Sequence, residues 1–344
     1  MTAAAQMIAA ATVGIVVWAG CGLAHAMLVR WQVLDRPGQR SSHTRPTPRG
    51  GGWAVLAGLL PAWLWVAMTS DSIVFAGLGW LLLAAVFVAL VSWRDDLRDV
   101  PVGLRLAAQV VAVAVGVWTL SPAPVFQGLL PPLPDAIAAG LVWLWFVNLY
   151  NFMDGIDAIT AVETMAIGLG VAALALAVAV AGESMSLRLP EDAAVLAGPG
   201  LILAAAAGGF VLWNWPPARL FIGDVGSVPL GLLVGWLLLS LAQSGAWPAA
   251  LLLPAYYLAD SGVTLLRRLL RGEAVWRAHR SHFYQQAVIR SWSHGRTVGL
   301  ITLCNGALVA LAIVSLRAPW LALAGGAIVV VATLLVLRGH PSQA

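Results

Sequence analysis

Runs of apolar residues long enough to cross a bilayer follow one another along the whole chain, with only short polar breaks between them. A hydrocarbon layer takes roughly 20 apolar helical residues per crossing and offers no partner to an open backbone N–H or C=O. Such a chain therefore folds as a helical bundle or not at all. Runs of roughly 17 to 25 residues place eleven helices near residues 7–29, 51–68, 73–93, 104–120, 136–153, 157–182, 193–213, 228–242, 247–269, 295–316 and 318–337. The fold class expected is an all-α integral membrane protein, a bundle of about eleven transmembrane helices, ten if one run does not cross. Only 10% of the residues are charged and the mean hydropathy is +0.88, which excludes a water-soluble globule. No internal repeat or soluble domain interrupts residues 1–344, so the chain reads as a single polytopic membrane domain. Ala24-His25-Ala26 resembles a signal-peptidase site, but the run before it lacks basic residues and is long enough to span, so an uncleaved first helix is expected.

All nineteen basic residues are Arg. With eleven spans, seventeen of them fall on one side and only Arg188 and Arg317 on the other, and basic loops stay in the cytoplasm. The N-terminus is then expected to be periplasmic and the C-terminus cytoplasmic, in a bacterial inner membrane. Cys21 and Cys304 lie far apart in apolar runs and read as small core residues.

Charges next to a bilayer are scarce and tend to be functional, so their clustering is informative. Four clusters fall on the expected cytoplasmic face, and the loops near 30–50, 94–103, 148–158, 214–227 and 271–294 would together build the site. Asp95, Asp96 and Asp99, interleaved with Arg94 and Arg98, suit a divalent cation, a metal-bound diphosphate or a base; a turn of mutually neutralised charges is the plain alternative. Asn148, Asn151 and Asp154 recur every three residues and share one helical face, a pattern of amide and carboxylate oxygens fit for a nucleotide phosphate. Gly155 would let backbone approach a ligand, and Asp157 would cap the sixth helix. Asp224, between Gly223 and Gly226, would present its carboxylate and free backbone N–H groups to a metal-bound phosphate, with Ser227 as a helix cap. Arg277, His279, Arg280 and His282 would recognise a pyrophosphate or sugar. Metal, Arg and carboxylates gathered at a membrane surface are the needs of phosphoryl transfer. A secondary transporter is the competing class, but its site would lie near the bilayer midplane. Asp260 is the one acid placed for such a relay, and its nearness to Arg267 and Arg268 favours an ion pair or a surface role.

The order of these motifs, with Asp35-Arg36-Pro37 and Pro46-Thr47-Pro48-Arg49-Gly50-Gly51-Gly52 before them, resembles the polyprenyl-phosphate N-acetylhexosamine-1-phosphate transferases of glycosyltransferase family 4. These include the enzymes that start O-antigen synthesis and the phospho-MurNAc-pentapeptide transferase of peptidoglycan synthesis. The resemblance implies transfer of a sugar 1-phosphate from a UDP-N-acetyl sugar to undecaprenyl phosphate with release of UMP. Mg2+, or Mn2+ in its place, would be held by Asp224 with Asp95 and Asp96 near it. Those three and Asp154 would form the catalytic set. Asn148, Asn151, Gly155, Asp157, Phe221, Gly223 and Arg105 would line the substrate site, with Phe221 stacking on uracil. Arg105, four residues before Gln109, stands where the family often has Lys. His-Arg-Ser-His in the last loop, in place of a histidine triplet, favours the O-antigen type, with UDP-GlcNAc, UDP-FucNAc or UDP-QuiNAc as donor, over the pentapeptide transferase. Membrane lipid is the other expected partner, nucleic acid is not one, and a homodimer is compatible with the sequence.

Overall fold

The computed structural model describes residues 3–38, 45–120, 123–181, 191–274 and 279–339. Helices α1 (Ala3–Arg30), α2 (Gly52–Thr69), α3 (Leu78–Leu97), α4 (Val102–Thr119), α5 (Pro132–Phe152) and α6 (Ile159–Ala181) make the first half. A short α7 (Glu191–Ala194) leads into α8 (Ala197–Asn214), α9 (Asp224–Leu241), α10 (Trp247–Leu252), α11 (Ala255–Leu270), α12 (Phe283–Ile289), α13 (His294–Ser315) and α14 (Pro319–Arg338). Prolines open α5 and α14 at their first turn, where the missing N–H has no partner to lose. Ser293 caps α13 by accepting from the Arg296 N–H at 3.1 Å.

Ten stretches among the described residues are long and apolar enough to cross a membrane. One of them, Asp224–Leu252, turns back on itself, because Gly245 takes a φ of +89° that reverses the chain. The reversal is held at the far end of the bundle. Gln127 Nε2 donates to the Ala242 carbonyl at 2.7 Å, and the Trp247 ring lies 5.8 Å from that of Trp320, at the start of α14. From there α10 and α11, broken at Pro254, return toward the end where Arg290 donates to the carbonyl of Leu337. The runs expected at 228–242 and 247–269 are thus two separate legs of the chain, α9 and then α10 with α11. The first of the pair starts four residues earlier than expected, at Asp224, for a reason that belongs to the site.

Helix α9 is the axis of the fold, buried along nearly its whole length. Trp236 packs against Trp63 of α2 at 5.5 Å and Phe75 at 6.2 Å, and Trp143 of α5 donates its indole N–H to the Leu232 carbonyl at 3.0 Å. Helix α8 lies between α1 and α6, and α13 and α14 close the bundle against α6 and α11. A buried acid links two of these helices. Glu163 of α6 accepts from Asn305 Nδ2 of α13 at 2.7 Å, a polar link between helices that share no hydrophobic drive to associate in lipid. Cys21 and Cys304 are buried and free, as small core residues.

Candidate active site

The site forms where the loop after α1 is sewn to the loop before α9. Strand β1 (Leu34–Asp35) pairs antiparallel with β2 (Thr47–Pro48), Leu34 opposite Pro48. Phe221 then donates its N–H to the Pro48 carbonyl at 2.8 Å, and the N–H groups of Gly50 and Gly51 return to the Phe221 carbonyl at 3.1 and 2.8 Å. The backbones come so close that a Cβ on Gly52 would stand 2.3 Å from the Cα of Gly226. This contact delivers Arg49 to the first turn of α9.

Arg49 joins two carboxylates from different helices. Its Nε lies 2.9 Å from Asp96 Oδ1 and its Nη2 2.6 Å from Asp224 Oδ1. Burial opposes the charge on Arg49, but Asp224, Asp96, Asp35 and Asp154 around it outweigh that and hold the guanidinium above its ordinary range. The Asp96 side chain has no exposed surface, and its two oxygens accept the N–H groups of Asp224 and Val225 at 3.1 and 3.0 Å. It therefore caps α9 from α3, with Gly223 at a φ of +73° leading in. The N–H groups expected to be free for a phosphate are taken by Asp96. Ser227 is likewise no cap: its hydroxyl donates to the Gly223 carbonyl at 3.2 Å and accepts from Asn151 Nδ2 at 2.8 Å. Asp95 is held by the Val100 N–H at 2.8 Å and by Arg105 at 2.5 Å, and Arg105 stands 3.9 Å from the second oxygen of Asp224. Of these three acids, Asp224 is the one that faces open space, flanked by two guanidinium groups.

The turn from α5 to α6 supplies the facing wall. Asn148 donates to its own helix at the Leu144 carbonyl, 2.8 Å away, while Asn151 reaches across to Ser227. Burial pushes the Asp154 carboxyl up to about 6, helped by the negative Asp224 and Asp157 and opposed by the Thr160 hydroxyl that donates to it at 2.7 Å and by Arg49. Asp157, expected to cap α6, instead accepts the Ala218 N–H at 3.0 Å and meets His294 Nδ1 at 3.2 Å. Asn214 takes the Ala158 N–H in its place, at 2.8 Å.

These walls enclose a polar cavity of about 250 Å³ lined by Asp35, Arg49, Asn151, Asp154, Gly155, Asp157, Phe221, Gly223 and Asp224, with Gln285 and His294. A wider recess of about 550 Å³ adjoins it, sharing Asp157, Phe221 and His294 and adding Arg45, Thr47 and the Pro216–Ala218 segment. On the other side lies a space of about 310 Å³ walled by Val88, Val91, Val102, Leu106, Val228 and Leu265, with Arg105 and Asn148 at its edge. Asn151 and Asp224 line both the first cavity and this apolar one.

The last loop differs from expectation. Arg277 lies outside the described residues. His279, Arg280 and His282 line none of these three cavities. The His279 ring stacks on His282 at 5.0 Å, and His282, 2% exposed, turns inward with its Nδ1 3.1 Å from Asp260. Burial, with His282 and Arg268 nearby, lowers the His279 imidazole to about 4, so it is neutral at pH 7. Asp260 is neither ion-paired to Arg267 or Arg268 nor at the surface. It is wholly buried, while Arg268 pairs with Glu273 at 3.4 Å and Arg267 lies over the Phe283 ring. With His282 held in, α12 turns Gln285 to the cavity instead. Sequence reading misses Gln285 and His294, because a Gln-Gln pair after two aromatic residues and a His after a capping Ser carry no pattern. Arg49 carries a signal only as part of the first-loop motif.

A family model described as Glycosyl transferase family 4 matches residues 78–242. A decaprenyl-phosphate N-acetylglucosaminephosphotransferase of Mycobacterium leprae is 27% identical over 335 residues, 86% of this chain and 80% of the relative. A probable undecaprenyl-phosphate N-acetylglucosaminyl 1-phosphate transferase of Bacillus subtilis is 23% identical over 78% of this chain and 74% of its own length. A phospho-N-acetylmuramoyl-pentapeptide-transferase of Mycobacterium avium is 27% identical over 82% of this chain and 87% of its own. Over that central span the chain is similar to glycosyl transferase family 4. The matched span holds Asp95, Asp96, Arg105, Asn151, Asp154, Asp157, Phe221 and Asp224, while Arg49, Gln285 and His294 come from outside it. Among the described residues no three His, Cys, Asp or Glu side chains converge on one point. Mg2+ is commonly held by one or two carboxylates together with substrate phosphates and water, and Asp224, between two cavities and beside Asn151, fits that manner of binding.

Proposed function

We propose that the protein transfers an N-acetylhexosamine 1-phosphate from a UDP-sugar to undecaprenyl phosphate, releasing UMP. The observation that carries this is the sharing of Asp224 and Asn151 by a polar cavity and an apolar one. A nucleotide sugar suits the first and a lipid phosphate the second, so their phosphates meet at one carboxylate between two Arg residues. All three relatives are named for an N-acetyl amino sugar and two of them for a polyprenyl phosphate, which supports that reacting pair.

In the proposed reaction an oxygen of the lipid phosphate attacks the phosphorus that carries the sugar. A new P–O–P bridge forms and the bond to the uridylyl phosphate breaks, with UMP carrying off the bridging oxygen. A phosphate monoester is already anionic near pH 7, so direct attack needs no aspartate to remove a proton. Arg105 at the edge of the apolar cavity would hold the lipid phosphate, and Arg49 would hold the diphosphate, each in forked hydrogen bonds. Asp224 would hold Mg2+, which when bound supplies positive charge to the phosphate oxygens. Phe221, with Asp157 and His294 around it, offers a flat apolar face for the base. Asp95 and Asp96 act as positioning groups for Arg105 and for the start of α9.

The Arg-rich end of the bundle is the site end, and by the positive-inside rule it would face the cytoplasm of the inner membrane. A lipid-linked amino sugar made there suits the first membrane step of O-antigen or a related envelope polysaccharide. The test uses purified protein in detergent with undecaprenyl phosphate, Mg2+ and a panel of UDP-N-acetyl sugars, products being read by mass spectrometry. UMP with a diphosphate-linked lipid sugar is expected. Release of UDP in place of UMP would overturn the reading.

A further inference from the structure

Asp260 sits in the middle of α11 with no exposed surface and gathers five hydrogen-bond partners. Tyr256 OH at 3.0 Å and Thr264 Oγ1 at 3.4 Å come from its own helix, one turn to either side. The other three are the start of α12: His282 Nδ1 at 3.1 Å and the N–H groups of Phe283 and Tyr284 at 3.0 and 3.3 Å. A buried carboxylate persists only where its lone pairs are filled, and here most of the filling is done by one segment of chain. That segment depends on the bond in return. Helix α12 has seven residues, far too few to hold by itself.

Two side chains of α12 reach the site from this anchored start. The Tyr284 hydroxyl donates to the Phe152 carbonyl at 3.3 Å and lies where a side chain on Gly155 would stand, 2.3 Å from its Cβ. Gln285 accepts the His282 N–H on its Oε1 at 3.4 Å, which fixes the amide so that its Nε2 lies beside Gly155 in the cavity wall. The carboxamide therefore presents N–H donors to the polar cavity, and its direction is set by the same turn that Asp260 clamps.

We propose that Asp260 is a positioning residue for sugar-phosphate transfer, acting through α12 to aim the Gln285 amide at oxygens of the nucleotide sugar. The inference rests on the proposed function. Asp260→Asn replaces one acceptor oxygen by an NH2 donor, so at least one of the five donors meets another donor. The full chain in detergent serves for the test, as wild type, Asp260→Asn, Gln285→Ala and the double variant. Hydrogen exchange over residues 282–286 and the Kd for UDP-GlcNAc are the readouts.

Asp260→Asn should speed exchange in that segment and weaken UDP-GlcNAc binding about tenfold, the effect of one lost hydrogen bond. In the Gln285→Ala background it should add no further loss. A purely structural role would give the same loss in both backgrounds, and that result, or unchanged exchange, would overturn the proposal. Should Asp260→Asn not accumulate in the membrane, Tyr256→Phe removes one partner and carries the same comparison, with the same results for and against. Should the wild type bind another UDP-N-acetyl sugar of the panel and not UDP-GlcNAc, that sugar takes its place in the comparison; absence of binding of every one would overturn the functional reading, and the exchange data would still decide whether Asp260 anchors α12.

Discussion

Gly52→Ala isolates the contact that brings the first loop to the catalytic helix. The added Cβ would stand 2.3 Å from Gly226 Cα and 2.4 Å from Gly226 N, where ordinary contact begins at 3.4 Å. Both neighbours are backbone, so no side chain can swing aside, and the starts of α2 and α9 must part by about 1 Å. Overpacking of this kind destabilises by about 1–3 kcal/mol. The functional effect is larger, because Asp224 lies two residues from Gly226 and its partner Arg49 three from Gly52. A displacement of about 1 Å between reacting groups can lower a rate about a hundredfold. The assay is UMP release at saturating donor and lipid, alongside thermal unfolding of the same detergent preparation. Gly299→Ala is the control, since nothing lies within 4 Å of the Cβ it would add in α13. It should raise stability by about 0.5–1 kcal/mol through helix propensity and leave turnover alone. Turnover of Gly52→Ala equal to that of Gly299→Ala would refute the reasoning.

Three further outcomes are expected. Asp224→Asn should abolish UMP release while the protein still unfolds near the wild-type temperature, because its side chain is partly exposed; measurable turnover would remove it from the proposed metal role. Phe221→Ala should raise the KM for UDP-sugar with less change in kcat, and an unchanged KM would end the stacking assignment. His279 is held near 4 in the fold and returns to about 6.5 on unfolding, so the unfolded chain binds more protons between those values. Stability should therefore fall as pH drops through that window, and His279→Gln should flatten the fall; equal slopes in thermal unfolding scans at about pH 7 and about pH 5 would refute it.

Much of the architecture is legible along the chain, because in a bilayer each crossing must satisfy its own backbone and announces itself by length and apolarity. The run at 247–269 stands out although α10 and α11 are broken at Pro254. The start of α9 reads too late from the sequence, at 228, because its true cap is Asp96, on another helix. Asn148, Asn151, Asp154, Asp157, Phe221 and Asp224 do line the cavities, since rare polar residues at helix ends have few other reasons to be there. The last loop resists the same argument. Five basic or aromatic side chains among residues 279–284 do not say which turn inward, and the acid that decides it is about twenty residues away, on α11.

The sequence by itself determined that this chain is a helical membrane bundle with its polar chemistry gathered at one end, because hydropathy and charge act locally and do not need the fold. Only the tertiary structure decided what each polar group does. It made Asp96 a cap, Arg49 the link between two acids, and Asp260 an anchor for α12, and it put Gln285 and His294 in the wall where His279 and His282 were expected. A hydrogen bond is satisfied within about 3 Å, and which groups come that close across the bundle is fixed by helix packing and not by spacing along the chain.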